Sequence, residues 1–439
     1  MDIFENKMSY GQYIKYLMPS VMTMIFLSFY TTIDGFFLSK YAGSDALAAV
    51  NIVIPVTCVI FGTAVMLASG AGATIGEYMG RDDYEKANKV FTLSTVSLVI
   101  FSVVFTVVGI WFLRPISAFL GAGERLMEHV LPYAFVVFIG TIPMAFKLFF
   151  EYLVRTDGNP KVGLFMSFTG LILNVVLDFV FVGIFKMGTL GAALGTTISI
   201  SISALIGLIY FLNFGKLKFA KFDWDIKTLF KACANGSSEM LTELSTGITT
   251  LLFNIIVMKY FGEDGVAAVT IIMYIYYFFI AFYMGISVAT APVISYNYGA
   301  NNKEKIKETL KYSFVTIGIT AVLIQLILYF GGSFIVGLFV IEGHVYELTM
   351  WALKLFSPVF IFIGINVFMS GYFTALGDGV NSSLISTLRS LIFVTAFIII
   401  LPKIIGVSGI WITMPLSEIA TVFISVIIYK KNGLNLKTA

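Results

Sequence analysis

Asn174 and Asp178 stand four residues apart inside LILNVVLDFVFV (171–182), a stretch with no other polar side chain. In a helix that spacing stacks both groups on one face. The surrounding apolar run, 162–185, is long enough to cross a bilayer once. A carboxylate at such depth costs roughly 2.5–3.5 kcal/mol, so it is expected to face a cavity or a partner. Two further oxygens belong with them by depth: Asp34 in the first apolar segment and Thr196 in TLGAALGTTIS. At about 1.5 Å per residue, all four fall within roughly one or two turns of each other, in the outer half of the membrane. Two carboxylates, an amide oxygen and a hydroxyl would suit a small hard cation. Alternatively, burial and like-charge repulsion would keep one carboxyl protonated and make it a proton carrier. Thr196 taken alone reads as ordinary helix packing.

The elements that must position these groups are membrane helices. The chain is 58% hydrophobic and 12% charged, about half the charge density of a soluble domain. Apolar segments near 13–40, 46–79, 88–113, 127–154, 161–186, 189–213, 229–260, 265–298, 308–340, 345–376, 380–402 and 407–429 predict an all-α polytopic membrane protein of twelve transmembrane helices. The amino-terminal segment lacks a cleavable-signal layout, and Cys58 and Cys233 imply no disulfide framework. Lys and Arg concentrate at the amino terminus, in the even-numbered loops and in the carboxy-terminal tail. That places both termini in the cytoplasm.

YAGSDALAAV (41–50) and YFGEDGVAAV (260–269) share six of ten residues at an offset of 219. The same offset pairs Gly80 with Gly299 and Gly158 with Gly377. It predicts two six-helix bundles, 1–213 and 229–439, joined by a cytoplasmic linker at 214–228. Their pseudo-two-fold axis runs along the membrane normal. At this offset Asp34, Asn174 and Asp178 meet Phe253, Phe393 and Phe397, so the polar set belongs to one half alone.

Other groups invite readings. Glu239 and Glu243, one helical turn apart in the seventh helix, could draw a cationic substrate into the cleft between bundles. Tyr274, Tyr277, Met22 and Met24 could add stacking and soft contacts. Arg389 and Glu418 are expected to form a structural ion pair across the last two helices. Lys147 and Glu151 read as a self-neutralising pair. His129 and His344 come with no catalytic or metal-binding cluster, so an enzyme is disfavoured.

GNPKVGLFMSFTGLILNVVLDFVFV followed by GTLGAALGTTIS resembles the helix 5–6 signature of the multidrug and toxic compound extrusion (MATE) family. TTIDGFFLSKYAGSDALAAVNIVIP resembles that family's first helix and following loop, with its aspartate at Asp34. The resemblance implies a V-shaped pair of bundles in a bacterial-type cytoplasmic (inner) membrane. It implies export of organic cations and drugs against Na+ or H+, with Asp34, Asn174, Asp178 and Thr196 as the coupling site. No cofactor beyond the coupling ion, no nucleic acid and a monomer are expected. The GSSEMLTELS stretch does not clearly match the acid that some members carry in the carboxy-terminal bundle. A lipid-linked saccharide flippase of related architecture is the alternative, and it would favour a strongly basic cleft that is not evident.

Overall fold

The computed structural model describes residues 2–340 and 342–433, and within them every regular element is helical. The end of the basic tail, 434–439, lies outside the described residues. The first six spans are α1 (Tyr10–Tyr41), α2 (Ser44–Gly80), α3 (Tyr84–Trp111), α4 (Glu124–Ile139 with Thr141–Thr156, bent by 52°), α5 (Pro160–Ile184) and α6 (Gly188–Asn213). A continuous helical stretch, Ile226–Gly299, follows, and Gly262 (φ 64, ψ −151) divides it into α7 (226–261) and α8 (263–299). Straight, those 74 residues would extend about 110 Å. Instead Gly236 packs against Met66 and Ser295 against Gly76, so both ends return to the same half of α2. The last four spans are α9 (Lys303–Gly337), α10 (His344–Phe356 with Val359–Ala375, bent by 53°), α11 (Gly379–Ile405) and α12 (Ser408–Ile428).

The duplication is written in the backbone as well as the sequence. Left-handed residues recur 219 positions apart: Gly43 and Gly262, Asp82 and Asn301, Gly158 and Gly377. The helix starts match too. Asp83 accepts the Lys86 amide at 3.1 Å, and Asn302 accepts the Lys305 amide at 3.1 Å. These side-chain oxygens satisfy amides that a helix start otherwise leaves unpaired.

The loops 81–83, 157–159, 214–225, 300–302 and 377–378 gather at one end of the molecule with the amino-terminal segment; we call it the basic end. There the bundles α1–α6 and α7–α12 close on each other. A side chain at Gly80 would strike the Tyr296 carbonyl, and one at Gly299 would strike the Glu77 carbonyl. The two contacts are themselves related by the 219-residue offset, so the symmetry axis passes between them. Small residues allow such backbone approach in membrane helices. Tyr13 and Ser313 share a 2.7 Å hydrogen bond across the same junction, and further up Phe29 meets Phe278 with ring centroids 5.8 Å apart.

The linker is non-helical over 214–225, and α7 begins three residues earlier than the expected boundary at 229. It is laid along α3. Asp157 accepts the amides of Lys216 at 3.0 Å and Leu217 at 2.9 Å, Asn88 accepts that of Lys218 at 2.8 Å, and Thr92 that of Ala220 at 2.8 Å. Burial raises the Asp157 carboxyl above its ordinary range, and the Tyr210 hydroxyl and the two linker amides counter that.

Candidate functional site

Three helices of the first bundle converge on one polar cluster. α1 brings Asp34 seven residues before its end, α5 brings Asn174 and Asp178, and α6 brings Thr196 eight residues after its start. Asn174 and Asp178 are fully buried, and Asp34 is half-buried. The Asn174 amide donates to Asp34 Oδ1 at 2.9 Å, and the Thr196 hydroxyl donates to Asp34 Oδ2 at 3.0 Å. Asp34 is thus held at both oxygens.

Asp178 is not. Its Oδ2 lies 3.5 Å from the Asn174 amide nitrogen, beyond the usual N–H···O range. Thr196 Oγ1, at 3.4 Å, competes for the same nitrogen, which carries only two protons. Asp178 Oδ1 and Asn174 Oδ1 are buried with no hydrogen-bond partner among the described residues. A buried acceptor left unpaired costs about 1–3 kcal/mol. Backbone features shape the space around it. At Gly195 any side chain would meet Asp178 Oδ1. Directly after Asp178 the helix widens into a π-helical turn, Phe179–Ile184, a distortion frequent at functional sites.

The family model MatE matches residues 19–180 and 240–426, most of the chain and all but Thr196's surroundings in this cluster. The chain belongs to the MATE family. Among similar proteins, the multidrug export protein MepA of Staphylococcus aureus (strain bovine RF122 / ET3-1) is 24% identical, over 94% of this chain and 92% of its own. MepA of Staphylococcus haemolyticus is 22% identical over 97% and 94%. Among solved structures, an outward-facing MATE transporter of the MOP superfamily superposes with a TM-score of 0.92 at 22% identity, covering 100% of this chain and 98% of that one. An Asp-to-Asn mutant of the Vibrio cholerae MATE transporter VcmN gives 0.90 at 21% identity, covering 97% and 98%. A twelve-helix, two-bundle membrane fold is therefore the family's fold as well as this chain's.

Among the described residues the second bundle has no counterpart of this polar cluster. Phe253 is buried, and Phe393 and Phe397 stack with centroids 5.8 Å apart. Its own charged centre lies elsewhere. Arg389 Nη1 is 3.3 Å from Glu418 Oε1, and Asn366 donates to Glu418 Oε2 at 2.7 Å and to its carbonyl at 2.9 Å. Asn366 was not singled out in the sequence, because a lone amide in an apolar segment carries no spacing signal.

The Lys147–Glu151 pair is not the self-neutralising pair expected from the sequence. Its ions are 2.6 Å apart, but Glu151 also meets Arg155 at 3.3 Å, and all three side chains are buried. Arg155 also donates to Ser20 of α1 at 3.2 Å. Two cations share one anion, so the group does not neutralise itself. The signal was present in the sequence, since Arg155 follows Glu151 by one further turn.

Of the candidate substrate groups, Glu239 lines a cavity of about 40 Å3 between the bundles, with Ser69, Tyr152, Thr156, Ser287 and Thr374. That volume holds about one to three waters. Glu243 sits opposite Gly62 of α2, where a Cβ would be 3.6 Å away. Tyr277 and Tyr274 are both exposed, at 37% and 39%, and Tyr274 stacks on Phe339 of its own bundle, centroids 5.8 Å apart. Met22 is half-buried and lies mid-helix in α1, while Met24 is in the core. Cys58 and Cys233 are free. Among the described residues no three His, Cys, Asp or Glu side chains cluster as a metal site, and the Thr189 hydroxyl donates to the His129 carbonyl.

Proposed function

We propose that this MATE protein is a secondary active exporter that drives organic cations outward against inward Na+ or H+. The observation that carries the reading is the unequal hydrogen bonding of two neighbouring carboxyls. Asp34 has a donor on each oxygen, while Asp178 Oδ1 and Asn174 Oδ1 have none among the described residues. A proton on Asp178, or a Na+ held by Asp34, Asn174 and Asp178 with Thr196 beside it, would complete the set. Either ion removes the repulsion between carboxylates and the cost of the unpaired oxygens. The filled and empty states then differ in energy, which a coupling ion requires. MATE membership and the likeness to MepA, named for multidrug export, support the transport class.

In this reading the basic end faces the cytoplasm, following the excess of Lys and Arg there. The bundles close at that end, while Ile54 of α2 and Ile248, Leu251 and Ile255 of α7 are exposed in the opposite half. Substrate would bind between bundles near Glu243, Glu239 and Tyr277, below the coupling cluster. The test is efflux of a fluorescent cation in inverted vesicles, comparing an imposed Na+ gradient with a pH gradient. Transport under neither gradient would refute the antiport reading.

A further inference from the structure

Outside the coupling cluster, a groove of about 470 Å3 lies on the outer flank of the molecule. It is lined by Ile100, Phe101, Val104 and Val108 of α3, by Trp224 of the linker and by Leu229 of α7. Both bundles therefore contribute to it. Its α3 wall, from Ser97 to Val108, runs about 16 Å, close to the depth of one leaflet of a roughly 30 Å hydrocarbon core. Ile100, Val104 and Val108 are exposed, and nothing polar in the wall interrupts them beyond Ser97.

Charge is gathered at one mouth of this groove. Towards the basic end the linker lies on α3, its Lys218 amide on Asn88 and its Ala220 amide on Thr92. Between 214 and 231 the chain carries Lys216, Lys218, Lys221, Lys227 and Lys231 against Asp223 and Asp225. Asp225 is engaged in capping α7 through Thr228. All five lysines are exposed, and none forms an ion pair among the described residues. Trp224, packed edge-on against Phe222 at 5.0 Å, stands between the charged and apolar parts, the level that tryptophan favours at membrane interfaces.

We propose that this groove binds an anionic phospholipid, one acyl chain along α3 and the phosphate headgroup among Lys218, Lys221 and Lys227. A leaflet-deep apolar slot opening onto unpaired lysines matches that partner and neither a neutral lipid nor a soluble phosphate. Because α3 and α7 belong to different bundles, the bound lipid clamps them together.

Native mass spectrometry of the full chain tests this, with phosphatidylglycerol and phosphatidylcholine supplied in equal amounts. Wild type should retain phosphatidylglycerol preferentially. Replacing Lys218, Lys221, Lys227 and Lys231 by Gln should cut its occupancy roughly tenfold or more, and replacing the same four by Arg should preserve it. Val104→Trp, which fills the slot and leaves the lysines intact, should lower retention of phosphatidylglycerol comparably. Equal retention of both lipids by wild type would overturn the proposal. So would undiminished phosphatidylglycerol binding by Val104→Trp, since the lysines would then be attracting lipid to the surface at large.

Discussion

Asp34 and Asp178 look interchangeable as intramembrane acids, yet their surroundings assign them unequal tasks. Asp34 accepts two bonds of 3.0 Å or less, one on each oxygen, so Asn in its place can keep only one of the bonds from Asn174 and Thr196. Asp178→Asn removes only weak contacts. We therefore expect both variants to fold and to lose uphill export, and Asp34→Asn to show the larger change in melting temperature. Gly195→Ala gives a complementary check. Its methyl group would displace the Asp178 carboxyl, so ion-driven export should fall while substrate binding persists; wild-type transport would mean the carboxyl has room that the geometry denies it. In the second bundle, Glu418→Gln leaves Arg389 buried without its counter-charge, a loss of roughly 3–5 kcal/mol. Adding Arg389→Met should restore part of the lost expression, and a double variant no better than the worse single would count against the pair. Glu243→Gln should weaken binding of cations and spare neutral compounds; equal losses would point to a folding defect.

At the level of elements, apolar run length and the 219-residue offset made the twelve spans legible, because a bilayer forces helices of a certain length. The join between α7 and α8 was readable from the break between the apolar segments 229–260 and 265–298, and Gly262 makes the turn there with positive φ, as Gly43 does 219 residues earlier. The Asn174–Asp178 face was readable from spacing alone. Packing partners were not. Arg155 reaches Ser20 across 135 residues, and Asn366 reaches Glu418 across 52; no periodicity encodes such meetings. The linker shows the same limit, since its lysines announced a cytoplasmic loop without revealing that Asp157 ties it down. That anchor is testable. Asp157→Ala should speed hydrogen exchange at the Lys216 and Leu217 amides, because charge-assisted bonds of about 1.5–3 kcal/mol are lost. Unchanged protection there would mean that α3 alone holds the linker.

Across the whole molecule, one bundle carries the buried carboxyl cluster, while its duplicate has phenylalanine at the positions that match Asp34, Asn174 and Asp178. Asymmetry of this kind suits a machine in which one half binds the driving ion and the other responds. In the proposed transport cycle the junction at Gly80 and Gly299 would have to separate for the basic end to open, and a bulkier residue there should bias it open. Reciprocal linkage is the thermodynamic core of the account: the driving ion must change substrate affinity, and substrate must change ion affinity equally. The most direct measurement is uphill accumulation of a fluorescent cation in inverted vesicles by wild type and Asp34→Asn, beside substrate binding to each purified protein with and without the driving ion. Asp34→Asn is expected to bind substrate, to respond no longer to the ion and to accumulate nothing. Accumulation by Asp34→Asn at the wild-type rate would contradict it and move the search for the coupling residue to Glu239 and Glu243.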